Sequence, residues 1–235
     1  MQPRSVDLNA DLGEEITDDE ALLEVVTSAN VACGFHAGNA AVMRAVCEAA
    51  AARGVRVGAQ VSYLDREGFG RRQVAVSGTT LTAQVAEQVG TLRGIAVACG
   101  TDVTYVKPHG ALYNRVVDDE EHAQAVLAGS AELPVLGLPG GRLVALAAAA
   151  GRAVWLEGFP DRGYEEHPDG TRRLVPRDRP GAVIADPEEI AARAVAMAGD
   201  VHSICVHGDG PTAVAAARAV RARLEEAGFR LEAFG

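Results

Sequence analysis

The chain has 235 residues, 48% of them hydrophobic and 4% aromatic, and its 22 basic and 32 acidic side chains leave a net charge of −10. That length fits one domain of the α/β-barrel kind as readily as two small ones, but no composition break marks a boundary, so one domain spanning residues 1–235 is expected, with a core of close-packed aliphatics; the acidic balance argues against nucleic acid or an anionic membrane as the main partner. The four cysteines (Cys33, Cys47, Cys99, Cys205) have no ligand-like spacing, so they read as reduced, buried small hydrophobes rather than a metal or disulfide framework.

The N-terminal residues have no apolar stretch behind Arg4, so no signal peptide is expected. No apolar run approaches the roughly 20 residues a membrane span needs, and the expected compartment is the cytoplasm. The predicted elements then alternate along the chain. They are strand Ser5–Leu8, helix Asp18–Thr27, strand Asn30–Cys33, helix Ala40–Arg53, strand Val55–Ala59, helix Leu81–Cys99 and strand Val103–Val106. Helix Asp119–Gly129, strand Leu133–Gly137, helix Arg142–Ala150, strand Ala153–Glu157, helix Pro187–Ala198, strand Ser203–Val206 and helix Thr212–Ala227 complete the set. Thr17-Asp18-Asp19-Glu20 reads as a capping box, and Asp186-Pro187-Glu188-Glu189 puts Asp at the N-cap and Pro at the first helical position. Seven strands each followed by a helix imply parallel pairing with right-handed crossovers. Periodicity does not choose between an open sheet and a closed barrel. The connections Ser62–Thr80 and Gly158–Asp186 are long enough to be functional loops.

Three of the six histidines, His36, His109 and His207, follow predicted strands and stand just before or near a glycine. In parallel α/β architectures strand ends converge on one mouth, so the three are candidates for a shared pocket. Asp7, Asn9 and Asp11 share one strand face. Lys107 leaves a core strand and needs a specific partner against its desolvation. Glu157, followed by Asp161 and Arg162, ends the sixth strand, and Asp209 precedes Pro211 at the start of the last helix, where free N–H groups suit an anion. Arg71 and Arg72 lie in a glycine-rich loop, as a phosphate clamp or an exposed basic turn. There is no P-loop, no G-x-G-x-x-G after the first strand, no nucleophile elbow and no H-E-x-x-H pair.

The segments Asp7–Glu14, Ser28–Gly38, Gly68–Arg72, Val106–Asn114, Glu157–Arg162 and Cys205–Asp209 resemble, in order, the LamB/YcsF family of 5-oxoprolinase A subunits. The resemblance implies a single seven-stranded βα barrel of the glycoside hydrolase/deacetylase type. It also implies cleavage of 5-oxo-L-proline to L-glutamate driven by ATP with Mg2+, together with subunits B and C. The candidate catalytic residues are then Asp11, His36, Lys107, His109, Glu157 and His207. Asp7, Asn9, Asn30, Gln60, Arg71, Arg72, Asp161, Arg162 and Asp209 are candidates for binding substrate or phosphate. In one place the chain departs from the family: Gln60 stands where a histidine is usual. A neutral amide is a poor ligand for transition ions, so no tightly bound transition metal is expected. Two other functions fit the residues less closely, a stand-alone metal-dependent deacetylase or amidase and a non-catalytic scaffold subunit.

Overall fold

The structure, a computed structural model, describes residues 4–16, 18–168, 170–207 and 212–234. Seven parallel strands close on themselves in the order β1 (Arg4–Leu12), β2 (Ser28–Ala32), β3 (Arg56–Val61), β4 (Val103–Pro108), β5 (Val135–Gly137), β6 (Val154–Gly158) and β9 (Ser203–Val206), with β9 pairing back onto β1. Closure decides the question that periodicity left open, in favour of the barrel. A short hairpin, β7 (Tyr164–Glu166) and β8 (Arg172–Leu174), occupies the long loop after β6. A last strand, β10 (Phe229–Leu231), runs parallel to β1 outside the barrel.

The strands obey one rule. Val6, Leu8, Ala10 and Leu12 of β1 face outward into the main apolar core, as do Ala29 and Val31, Val57 and Ala59, and Ile204 and Val206. The helices α1 (Asp19–Leu23), α2 (Ala40–Arg53), α3 (Gly78–Ala98), α4 (Gly110–Arg115), α5 (Glu120–Gly129), α6 (Arg142–Ala149), α7 (Pro187–Met197) and α8 (Ala213–Glu226) supply that core's other half. The alternate residues point inside, where Leu136 and Trp155 form a small apolar cluster with Tyr105 and most of the others are polar. Strands covered on both faces are usually apolar throughout, so an interior of Asp, Asn, Ser, Gln and Lys marks a site rather than packing.

Helix starts follow their capping chemistry. Asn39 accepts from the N–H groups of Ala41 and Val42, and α2 ends on Gly54 in the left-handed conformation at φ 68°. Asp186 caps α7, with Pro187 at its first position. The first predicted helix is shorter than its sequence pattern: α1 starts behind Asp18, whose side chain accepts from Ala21, and stops at Leu23. Thr17 lies outside the described residues. Strand β1 runs to Leu12 instead of Leu8, which makes Asp11 a strand residue. The hairpin, α4 and β10 have too few residues for a readable period. Among the described residues no helix is long and apolar enough to cross a membrane.

Candidate functional site

The floor of the barrel is a hydrogen-bonded polar lattice. Asp7 accepts from Thr27 Oγ1 at 2.6 Å and Ser28 Oγ at 2.6 Å, and also from the hydroxyl of Ser203. Asn9 Nδ2 donates to Ser203 Oγ at 2.6 Å, while Asn30 Nδ2 donates to Asn9 Oδ1 at 2.7 Å and Asp11 Oδ1 at 2.9 Å. Tyr105 crosses the lumen to donate to Asn30 Oδ1 at 2.7 Å. It passes over Gly58, where a Cβ would run into the Tyr105 ring, so that strand position must be glycine. Complete burial pushes the Asp7 carboxyl up to about 6 despite its hydroxyl donors.

Above this floor stands Lys107. Its ammonium lies 2.9 Å from Glu157 Oε2, 3.4 Å from Asp11 Oδ1, 3.3 Å from Asn9 Oδ1 and 3.0 Å from Cys205 Sγ. Burial pulls the Lys107 pKa down, but Asp11, Cys205 and Glu157 outweigh it and hold the side chain as an ammonium. Burial would likewise raise Asp11, yet Lys107, together with the hydrogen bond from Asn30, holds its carboxyl well below the usual range. Glu157, wholly enclosed, is pushed up by burial even with Lys107 beside it.

On one side of the mouth, His36 and His109 stack at 4.0 Å between centroids and 14° between planes. Glu14 Oε1 reaches both, 3.4 Å from His36 Nε2 and 3.5 Å from His109 Nδ1. His109 Nε2 lies 3.1 Å from the Phe69 carbonyl, an acceptor only, so that nitrogen carries the proton. Neutral His109 therefore accepts at Nδ1, and the partner 3.0 Å away is the Gln60 amide nitrogen. Both nitrogens are committed. Burial, and then His36, push His109 well below the ordinary imidazole range, and burial raises Glu14.

Glu14, His36 and His109 bring three donor atoms within 4.8 Å of one another, which is the spacing of a metal site. The ring geometry argues against one. Imidazole lone pairs lie in the ring plane, and two nearly parallel rings 4.0 Å apart aim theirs side by side rather than at one ion. An ion would also have to displace Gln60 from His109 Nδ1.

The opposite side of the mouth is arranged differently. His207 Nδ1 lies 2.9 Å from Asp161 Oδ2, and its backbone N–H donates to the same oxygen at 2.9 Å. A carboxylate only accepts, so Nδ1 carries a proton, and in the neutral ring the lone pair is on Nε2. Burial would raise Asp161, but His207 overrides it and lowers the carboxyl. His207 lines a cavity of about 340 Å³ together with Asp11, Lys107, His109, Arg71 and Phe159. That volume lies at the small end of ligand pockets, about 300–1,000 Å³.

Of the candidates, Asp11, Lys107, His109, His207, Arg71 and Arg162 line this cavity. Glu157 and Asp161 lie directly behind Lys107 and His207, and Asp7, Asn9 and Asn30 form the floor. His36 and Gln60 form the layer behind His109. Direct contact between Gln60 and a cavity ligand, as its amide chemistry suggests, is not what the geometry provides. Arg72 turns away as well, with Nε 3.5 Å from Asp65 Oδ1 and its own N–H bonded to Asp65. Arg162 braces the loop, donating from Nε to Ala182 O at 2.9 Å and from Nη2 to Val175 O at 2.8 Å. Asp209 lies outside the described residues. Sequence reading passed over Glu14, Ser203 and Cys205. The last two were detectable, because Ser203 and Cys205 alternate on β9, in step with His207 just beyond it, as Asp7, Asn9 and Asp11 do on β1.

A model of the LamB/YcsF family matches residues 6–235. The 5-oxoprolinase A subunit of Streptomyces avermitilis is 56% identical over 252 residues, covering 97% of this chain and 99% of that protein. The 5-oxoprolinase A subunit of Mycolicibacterium gilvum is 51% identical over 253 residues, covering 98% and 99%. Among solved structures, the lactam utilization protein from Thermus thermophilus superposes with a TM-score of 0.89 at 40% identity, covering 98% of this chain and 100% of that one. The peptidoglycan deacetylase PdaC from Bacillus subtilis gives 0.56 at 15% identity, covering 98% and 88%, a likeness of fold alone.

Proposed function

The chain belongs to the LamB/YcsF family, and we propose that it opens the ring of 5-oxo-L-proline to L-glutamate as the A subunit of an ATP-dependent 5-oxoprolinase, acting with subunits B and C. The observation that carries this reading is the Asp161–His207 pair facing the Lys107–Asp11 pair across one small cavity. A lactam carbonyl is resonance-stabilised, and transfer of phosphate from ATP with Mg2+ to its oxygen in the complex makes the carbon open to attack. Water then gives its proton to His207 Nε2 and its oxygen to that carbon, the ring C–N bond breaks as the nitrogen regains a proton, and a second water cleaves the resulting acyl phosphate to L-glutamate and inorganic phosphate. Lys107 and Arg71 supply positive charge toward the carbonyl or phosphoryl oxygens. Asp161 holds the tautomer in which Nε2 can take the proton.

The stacked geometry of His36 and His109 supports a reaction without a transition ion. Elemental analysis of the purified chain is expected to find none in stoichiometric amount; about one zinc, manganese or iron per chain, removed together with activity by a chelator, overturns that part. For the reaction, the chain is mixed with 5-oxo-L-proline alone, with subunits B and C, and with both subunits plus ATP and Mg2+. Glutamate release is expected only in the last mixture. Robust ring opening by the isolated chain without ATP overturns the proposal in favour of a stand-alone amidase.

A further inference from the structure

We infer that Phe159, which takes no part in the proposed chemistry, is a positioning residue for His207, and that the turn carrying it works as a clamp on that imidazole. The inference rests on the proposed role of His207 only for its consequence in turnover, since the clamp itself is a matter of geometry.

Three contacts define it. The Phe159 ring stacks on the His207 ring, with centroids 5.2 Å apart and 27° between planes. Lys107 Nζ stands 5.1 Å from the centre of the same ring, and Tyr113 meets it edge-on at 5.4 Å and 89°. Phe159 is 2% exposed and lines the cavity, so these neighbours hold it wherever the cavity does not. Offset stacking and cation–π contact are the favoured geometries for an aromatic ring beside an imidazole and an ammonium.

The backbone under the ring is also held. Pro160 follows Phe159, and the Arg162 N–H bonds the Phe159 carbonyl at 3.2 Å, a β-turn with proline at its second position. The Phe159 N–H donates to Tyr164 Oη at 2.8 Å, which ties the turn to the β7–β8 hairpin. From α7, Arg193 donates to Pro160 O at 2.8 Å and Arg162 O at 2.6 Å. Asp161, in the same turn, accepts the hydrogen bond from His207 Nδ1–H. One rigid turn thus grips the imidazole twice: the carboxylate of Asp161 sets the rotation within the ring plane, and the face of Phe159 sets the tilt of that plane. A carboxylate alone leaves the ring free to rock about its hydrogen bond.

The test uses Phe159→Leu, which keeps apolar bulk and loses the ring face, and Phe159→Tyr, which keeps the face. In the isolated chain, nitrogen NMR of the imidazoles reports the tautomer of His207, assigned with His207→Asn. The parent and Phe159→Tyr are expected to show a single Nδ1–H tautomer with a slowly exchanging proton. Phe159→Leu is expected to show mixed tautomers and fast exchange, with the melting temperature lowered only by the few degrees that one buried ring-to-Leu change costs. In the three-subunit assay, Phe159→Leu is expected to lose on the order of ten- to a hundredfold in kcat with KM held within about twofold, because misplacement of a reacting group costs that much; Phe159→Tyr recovers most of it. An unchanged His207 spectrum in Phe159→Leu overturns the clamp. Lack of glutamate release by the parent complex overturns the proposed function instead, and the NMR result still decides the clamp.

Discussion

His109 and His207 stand at the ends of two strands of the same barrel, line the same cavity, and differ in what their second nitrogen meets. His109 gives its N–H to a main-chain carbonyl and accepts from the Gln60 amide, so it has neither lone pair nor proton to offer. His207 gives its N–H to a carboxylate and keeps a lone pair. The partner's hydrogen-bonding sense, rather than the imidazole or its place on the strand, separates an imidazole with both nitrogens committed from one with a nitrogen left to act.

Lys107 underlies both sides, and its loss breaks the comparison altogether. Lys107→Ala leaves Asp11 and Glu157 enclosed without their cation, and is expected to cost about 3–5 kcal/mol in denaturant unfolding. His207→Ala sharpens the comparison: if the proposed base is lost, glutamate release in the complex should fall about a hundredfold or more, with a smaller loss of stability than in Lys107→Ala because Asp161 keeps the His207 backbone N–H. His109→Ala should do the reverse, lowering stability by about 1–3 kcal/mol through the abandoned Gln60 and Phe69 partners and slowing turnover less than His207→Ala. Equal losses of turnover in the two variants would erase the distinction.

The smallest effect is expected beneath the mouth, at Asp7. Its folded-state carboxyl is raised from 3.8 to about 6 by burial, so the folded form binds the proton more tightly than the unfolded chain. That stabilising contribution is complete below pH 4, fades between about 4 and 6, and is constant above. Calorimetry of Asp7→Asn against the parent should therefore show the melting-temperature difference moving in the variant's favour across that interval and flat beyond it. A difference that moves the other way, or continues above pH 7, contradicts the assignment to Asp7.

Much of the barrel was legible before any coordinates. The seven barrel strands and the alternation of Asp7, Asn9 and Asp11 sit in consecutive residues, where the two-residue period of a strand writes them directly. So were the three histidines at strand ends, since parallel pairing sends those ends to one mouth. Which side chains meet there was not. Asn9 bonds Ser203 across 194 residues of chain, and Lys107 meets Cys205 across 98. Such pairs follow from closure and register, which no local pattern encodes. Arg72 lies in a stretch that resembles the family and Gln60 at the position where the chain departs from it, yet both face away from the cavity, because the nearest complementary partners, Asp65 and His109, hold them there. Glu14 could be read only as one more acid after a strand until the fold set it between two imidazoles. Strand periodicity is a property of neighbouring residues, so sequence carries it. Hydrogen-bond sense and proton position depend on atoms brought together from distant strands, and only the closed barrel decides them.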